Sequence, residues 1–221
     1  MKRILFAAVL LLCGLVCNAQ KSDGETFIKS LKGTYVELFS PNTCLSPELS
    51  SLWHGEAAKF VGEENADEAV RKLVGACQGV DVGEKAMSAY EQSGEFRFCC
   101  SFKGGVEKFT FDGSRIYGTD CQGKVVFSHP YRFVGNDEDG NYIYESCEDN
   151  NDEFRFFWLR PDSPSETYHI EFRYGSDKEQ LAQLMTGKYA FWMASGVRKG
   201  CNEEYKNSVI LFVGENLGAR E

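Results

Sequence analysis

Three histidines, His54, His129 and His169, supply all the imidazole in this chain. His169 carries the most pointed chemistry. It sits in Thr167-Tyr168-His169-Ile170-Glu171-Phe172-Arg173, and on a β-strand this spacing places Thr167, His169, Glu171 and Arg173 on one face. An imidazole nitrogen beside a carboxylate oxygen is a donor pair for a divalent cation such as zinc. The same pair suits acid–base catalysis poorly, because the two groups stand side by side instead of across a substrate. That polar face has two placements open to it. It is either the wet outer face of a barrel strand or the lining of a polar lumen in which His169 and Glu171 form a mixed nitrogen–oxygen site. His129 shares a face with Phe127, Tyr131 and Phe133, which points its ring into aromatic surroundings; it is the other candidate ligand, although a lone histidine there is more often a hydrogen-bonded core or wall residue. His54, beside Trp53 in a helical stretch, reads as an ordinary helix residue.

Other chemistries find little footing. There is no Gly-x-Ser-x-Gly elbow, no phosphate-cradling glycine loop and no nucleophile–base pair, so an enzyme is not expected. The acidic runs Asn136–Asn141 and Glu148–Glu153 lack the ligand spacing and closing Glu of an EF-hand loop and read as solvated hairpin tips.

Around these residues the chain is organised as short strands. From Gly94 onward, aromatic and β-branched runs alternate with turn signals such as Asp112-Gly113, Gln122-Gly123 and Asp139-Gly140. The expected strands are Glu95–Phe102, Glu107–Phe111, Arg115–Asp120, Val125–Val134, Tyr142–Cys147, Phe154–Leu159 and Thr167–Tyr174, with an opening strand in Leu31–Leu38. Strands at this spacing imply a mainly β fold, an up-and-down antiparallel barrel. Ahead of it, Pro47 at a first helical position starts a helix to about Phe60, and a second runs from Ala66 to Cys77. A C-terminal helix is expected over Asp177–Met185, with a weaker one over Asn202–Val213.

Met1–Ala19 reads as a cleaved secretory signal: Lys2-Arg3, an apolar run from Ile4 to Leu12, and a small-x-small site in Cys17-Asn18-Ala19 that leaves Gln20 first. A lipid tether at Cys17 is less expected, because Leu15-Val16 lacks the usual small residue before it. The remainder, 20–221, suits one domain, periplasmic or secreted, with no later stretch apolar enough to span a membrane. Losing Lys2 and Arg3 takes the formal charge from −9 to −11, a field that repels nucleic acid and anionic lipid. Seven cysteines remain: Cys44, Cys77, Cys99, Cys100, Cys121, Cys147 and Cys201. In an oxidising compartment they allow up to three disulfides, whose pairing the spacing leaves open.

The stretch Glu166–Asp177, followed by a helix with Leu181 and Leu184 and by Tyr189-Ala190-Phe191-Trp192-Met193, resembles the C-terminal signature of the ZinT (YodA) family. These are periplasmic zinc- and cadmium-binding proteins of calycin fold. Phe109-Thr110-Phe111-Asp112-Gly113-Ser114-Arg115-Ile116-Tyr117 resembles that family's aromatic strand and turn, and Gly33-Thr34-Tyr35 its Gly-x-Trp. The likeness covers about Leu31 to Val197 and is strong over Phe109–Trp192. It implies a calycin-like, lipocalin-like barrel and a metal site of three histidines. Of these, His169 matches one; Thr167 and Phe157 stand where the other two should be, and the family's His-rich N-terminal tail is absent. The expectation is an extracytoplasmic zinc-binding protein of ZinT type that captures or buffers metal through His169, Glu171 and His129, with cadmium or another divalent cation as a substitute. The alternative is a lipocalin-like carrier of a small apolar molecule, lined by Phe98, Phe127, Tyr131, Tyr142, Tyr144, Phe156 and Trp158.

Overall fold

The computed structural model describes residues 23–78, 100–162, 164–186, 190 and 192–218. The expected signal segment, Phe98, and Glu95–Cys99 of the first expected hairpin strand lie outside the described residues. Eight strands form a closed antiparallel barrel in chain order: β1 (Gly33–Glu37), β2 (Lys108–Asp112), β3 (Arg115–Thr119), β4 (Val125–Asn136), β5 (Tyr142–Ser146), β6 (Phe156–Leu159), β7 (Ile170–Gly175) and β8 (Ala194–Arg198). β8 returns to pair with β1, Val36 opposite Val197. The turn between β2 and β3 bends at Gly113 (φ 64°), a left-handed backbone that a side chain would oppose.

The helices are α1 (23–30), α2 (Ser50–Val61), α3 (Ala66–Cys77), α4 (Pro164–Thr167), α5 (Lys178–Leu184) and α6 (Asn202–Leu217). α5 starts cleanly because the Asp177 side chain accepts from the backbone N–H groups of Glu179 and Gln180. It covers one outer side of the barrel, where Leu181, Met185 and Met193 pack on Ile143, Phe156 and Trp158. α2 and α6 cover another: Trp53, Val209 and Val213 bury Leu38 and Val197.

Alternation along each strand decides what fills the barrel. Phe109, 0% exposed, meets the rings of Phe102, Phe172 and Tyr174 at 4.9, 5.0 and 5.2 Å between centroids. Phe127 and Phe154 stack at 3.9 Å with planes 5° apart. The barrel is thus an aromatic core whose rings interlock in offset and edge-on contacts.

The calycin-like barrel with N-terminal helices and a C-terminal helix is as expected, with several local departures. Thr167 does not open β7: it ends the short α4, Tyr168 follows at φ 59°, and the strand begins at Ile170. Residues 100–102 are not in a strand, although Phe102 is buried in the core. β8 and α1 were not anticipated, and α6 runs on to Leu217. Of the side chains expected to line the barrel, Phe156 and Trp158 point outward under α5, whereas Phe127, Tyr131 and Tyr144 are in the central core.

Candidate functional site

β7 presents Ile170, Phe172 and Tyr174 to the aromatic core. By alternation Glu171 and Arg173 stand on its outer side, so the lumen placement suggested for the polar face gives way to the outer one. The physical reason is apolar burial: seating three large side chains in the core outweighs anything a reversed strand would offer the polar ones. The outer face is nonetheless not bulk water. Arg173 is 6% exposed and donates to the Leu184 and Trp192 carbonyls. The side chains of His169 and Glu171 are 15% and 23% exposed.

The turn into β7 sets the His169 ring. Thr167 Oγ1 donates to the His169 carbonyl at 2.7 Å, and His169 Nδ1 donates to the Thr167 carbonyl at 2.6 Å. α6 holds the turn from outside, with Ser208 Oγ donating to the Tyr168 carbonyl at 3.1 Å. With Nδ1 spent on a backbone carbonyl, Nε2 faces Glu171 Oε1 at 3.8 Å. The other carboxylate oxygen, Oε2, meets Arg160 Nη1 at 2.7 Å. Burial pulls the His169 imidazole toward neutrality, but the Glu171 carboxylate and the Thr167 carbonyl outweigh it and hold its pKa above the ordinary value. Burial likewise opposes charge on Glu171, yet His169 and Arg160 keep it below the ordinary carboxylate range.

His129 lies elsewhere. It shares an inward side with Phe127 and Tyr131, whose ring centroids are 5.7 and 6.4 Å away, as the sequence implies. Its Nδ1 meets Glu148 Oε2 at 2.7 Å and its Nε2 meets Asp152 Oδ2 at 2.8 Å. The Asn150 side-chain nitrogen also lies 2.9 Å from that Nε2, so both ring nitrogens are already engaged by protein groups. His54 is clamped in the same way, between Asp67 at 2.7 Å and Glu63 at 2.8 Å. The loop bearing Glu148 and Asp152 precedes β6, while the connection bearing His169 follows it, so His129 and His169 stand at opposite ends of that strand. They do not converge. The 148–153 acidic run stands out in the sequence, but its folding back onto His129 does not. The contact spans a hairpin loop and leaves no local signature.

Among the described residues, no three His, Cys, Asp or Glu side chains come together in a way that could hold a metal ion. His169 Nε2 and Glu171 Oε1 are two neighbouring donors, short of the three or four protein ligands of zinc sites. They do not fit the closed four-ligand sphere of a structural zinc site. A groove of about 490 Å³ lies outside the barrel between α2, α3 and α6, with Val61, Leu73, Ala76 and Phe212 among its walls.

No family model matches the chain, and no curated protein matches it. Solved structures do. The Zn(II)-bound ZinT-like domain of Streptococcus pneumoniae AdcA is similar with a TM-score of 0.50 at 12% identity, covering 84% of this chain and 89% of that domain. Zn(II)-bound AdcA from the same organism has a TM-score of 0.46 at 10% identity; 84% of this chain is covered but only 35% of that longer one. At these identities the likeness to the ZinT-like domain is one of fold.

Proposed function

We propose that residues 20–221 form one extracytoplasmic binding domain that takes up a divalent cation, zinc above others, through His169 Nε2 and Glu171 Oε1. One observation carries this reading. His169 is the histidine whose Nδ1 is committed to a backbone carbonyl while its Nε2 looks toward a carboxylate from beyond hydrogen-bond length. A backbone acceptor on one ring nitrogen is the arrangement that orients the other nitrogen as a metal ligand. Two ligands on one tetrahedral zinc lie about 3.3–3.5 Å apart, so the observed 3.8 Å gap closes with a small side-chain adjustment. Water would complete the sphere, giving exchangeable binding suited to capture or buffering. The fold shared with a Zn(II)-bound domain supports the reading. His129 is the secondary candidate, with Glu148 and Asp152 already in contact with its two ring nitrogens.

Zinc titration by calorimetry, with the fold checked by circular dichroism, tests the assignment. His169→Ala should weaken binding at least tenfold and His129→Ala should leave it nearly unchanged. Wild-type affinity in His169→Ala would remove the site.

A further inference from the structure

The described cysteines differ sharply in their surroundings. Cys44 is buried alone against the Tyr205 carbonyl, with its sulfur 3.4 Å from that oxygen, and Cys121 and Cys147 are exposed. Cys77 and Cys100 form the exception. Cys77 is the last residue of α3, Cys100 lies beside β8, and they are 2% and 7% exposed. The Cys100 N–H donates to the Cys77 carbonyl at 2.8 Å, and Ser195 N–H on β8 donates to the Cys100 carbonyl at 3.0 Å. A backbone hydrogen bond of that length holds the two α-carbons no more than about 6.7 Å apart, within the span a disulfide bridges. Both side chains are free thiols in the structure, and the Cys77 thiol lies near enough to raise the pKa of Cys100.

We propose that Cys77 and Cys100 are joined by a disulfide in the exported protein, a covalent strap from the end of α3 to the segment lying along β8. Each thiol gives up its proton, one sulfur–sulfur bond forms, and the two electrons pass to an external disulfide, a protein or small-molecule oxidant, which leaves as two thiols. The pair closes while the segment is still accessible. If the pair is still open in the folded chain, the Cys77 neighbour and burial push the Cys100 thiol well above the ordinary range, and a buried thiol held in that form reacts slowly.

The test uses the full chain, expressed with its leader, recovered from the extracytoplasmic fraction and alkylated before any reductant is added. Peptide mapping without reduction should show the peptide containing Cys77 linked to the one containing Cys99 and Cys100. The link should persist in Cys99→Ser and vanish in Cys100→Ser. Reductant should lower the wild-type melting temperature by roughly 5–10 °C more than that of a Cys77→Ser/Cys100→Ser double variant. Alkylation of both residues in the wild type, or a link from Cys77 to any other cysteine, would overturn the proposal.

Discussion

Thr167 and His169 are bonded to each other twice, hydroxyl to carbonyl at 2.7 Å in one direction and ring Nδ1 to carbonyl at 2.6 Å in the other. The double bond pattern spans the residue at positive φ, Tyr168, and ties the ring to the backbone of its own turn. Thr167→Val keeps the shape of the side chain and removes the hydroxyl. Its expected effect is a several-fold loss of zinc affinity with the fold retained, from a less constrained imidazole. Calorimetry on that variant reads it, and an affinity equal to wild type would show that the turn does not orient the ring.

Arg160 competes with any cation at Glu171, since its guanidinium lies 2.7 Å from Oε2. Arg160→Gln removes a partly exposed positive charge from beside Glu171, so zinc should bind several-fold more tightly. The folded protein should lose up to about 1 kcal/mol as Glu171 gives up its partner, the guanidinium being partly exposed. Opposite movement of affinity and melting temperature is the signature. Weaker binding in the variant would contradict it.

The His169–Glu171 pair gives stability a pH window. His169 is more basic folded than unfolded, so its contribution is complete below its ordinary value of 6.5 and is lost as pH rises through the raised folded value. Glu171 is more acidic folded than unfolded; its contribution is complete above 4.5 and is lost as pH falls through the lowered folded value. The pair therefore stabilises most between about pH 4.5 and 6.5. The melting-temperature gap between wild type and His169→Gln should be widest near pH 5.5 and narrow toward pH 8. Zinc affinity follows the reverse course and rises with pH, as the metal replaces the Nε2 proton. A gap that widens above pH 7 would contradict the pairing.

Gly118, on β3, has no room for a methyl group: a Cβ there would lie 2.6 Å from Phe127 Cε1 and 2.8 Å from Val106 Cγ2. Phe127 is itself stacked on Phe154 and has little freedom to move aside. Gly118→Ala should cost about 1–3 kcal/mol by chemical denaturation, without affecting zinc binding at the outer face. A neutral substitution would mean that the aromatic core yields more readily than its close ring contacts imply.

Most of the barrel was legible because period-2 alternation and glycine turns are local signals: the strands around Phe109–Phe111 and Tyr142–Ser146 fall within a residue or two of expectation. β8 was not, because Ala194-Ser195-Gly196-Val197-Arg198 is small and buried along most of its length beneath helices, which erases the alternation. The side taken by His169 was legible in principle. Ile170, Phe172 and Tyr174 form the apolar set that a core claims first, and the resemblance to a histidine-lined family pulled the expectation the other way. The carboxylates around His129 were hidden for another reason. Glu148 and Asp152 arrive from a loop, and whether an acidic loop faces solvent or folds back onto a strand is decided only in three dimensions.

The pairing of β1 with β8 makes the barrel's closure wait on the far end of the chain. Gly33–Glu37 keeps one edge unpartnered until Ala194–Arg198 has been synthesised and delivered, so the ring cannot be completed by a nascent fragment. Contacts that distant in sequence make for slow folding.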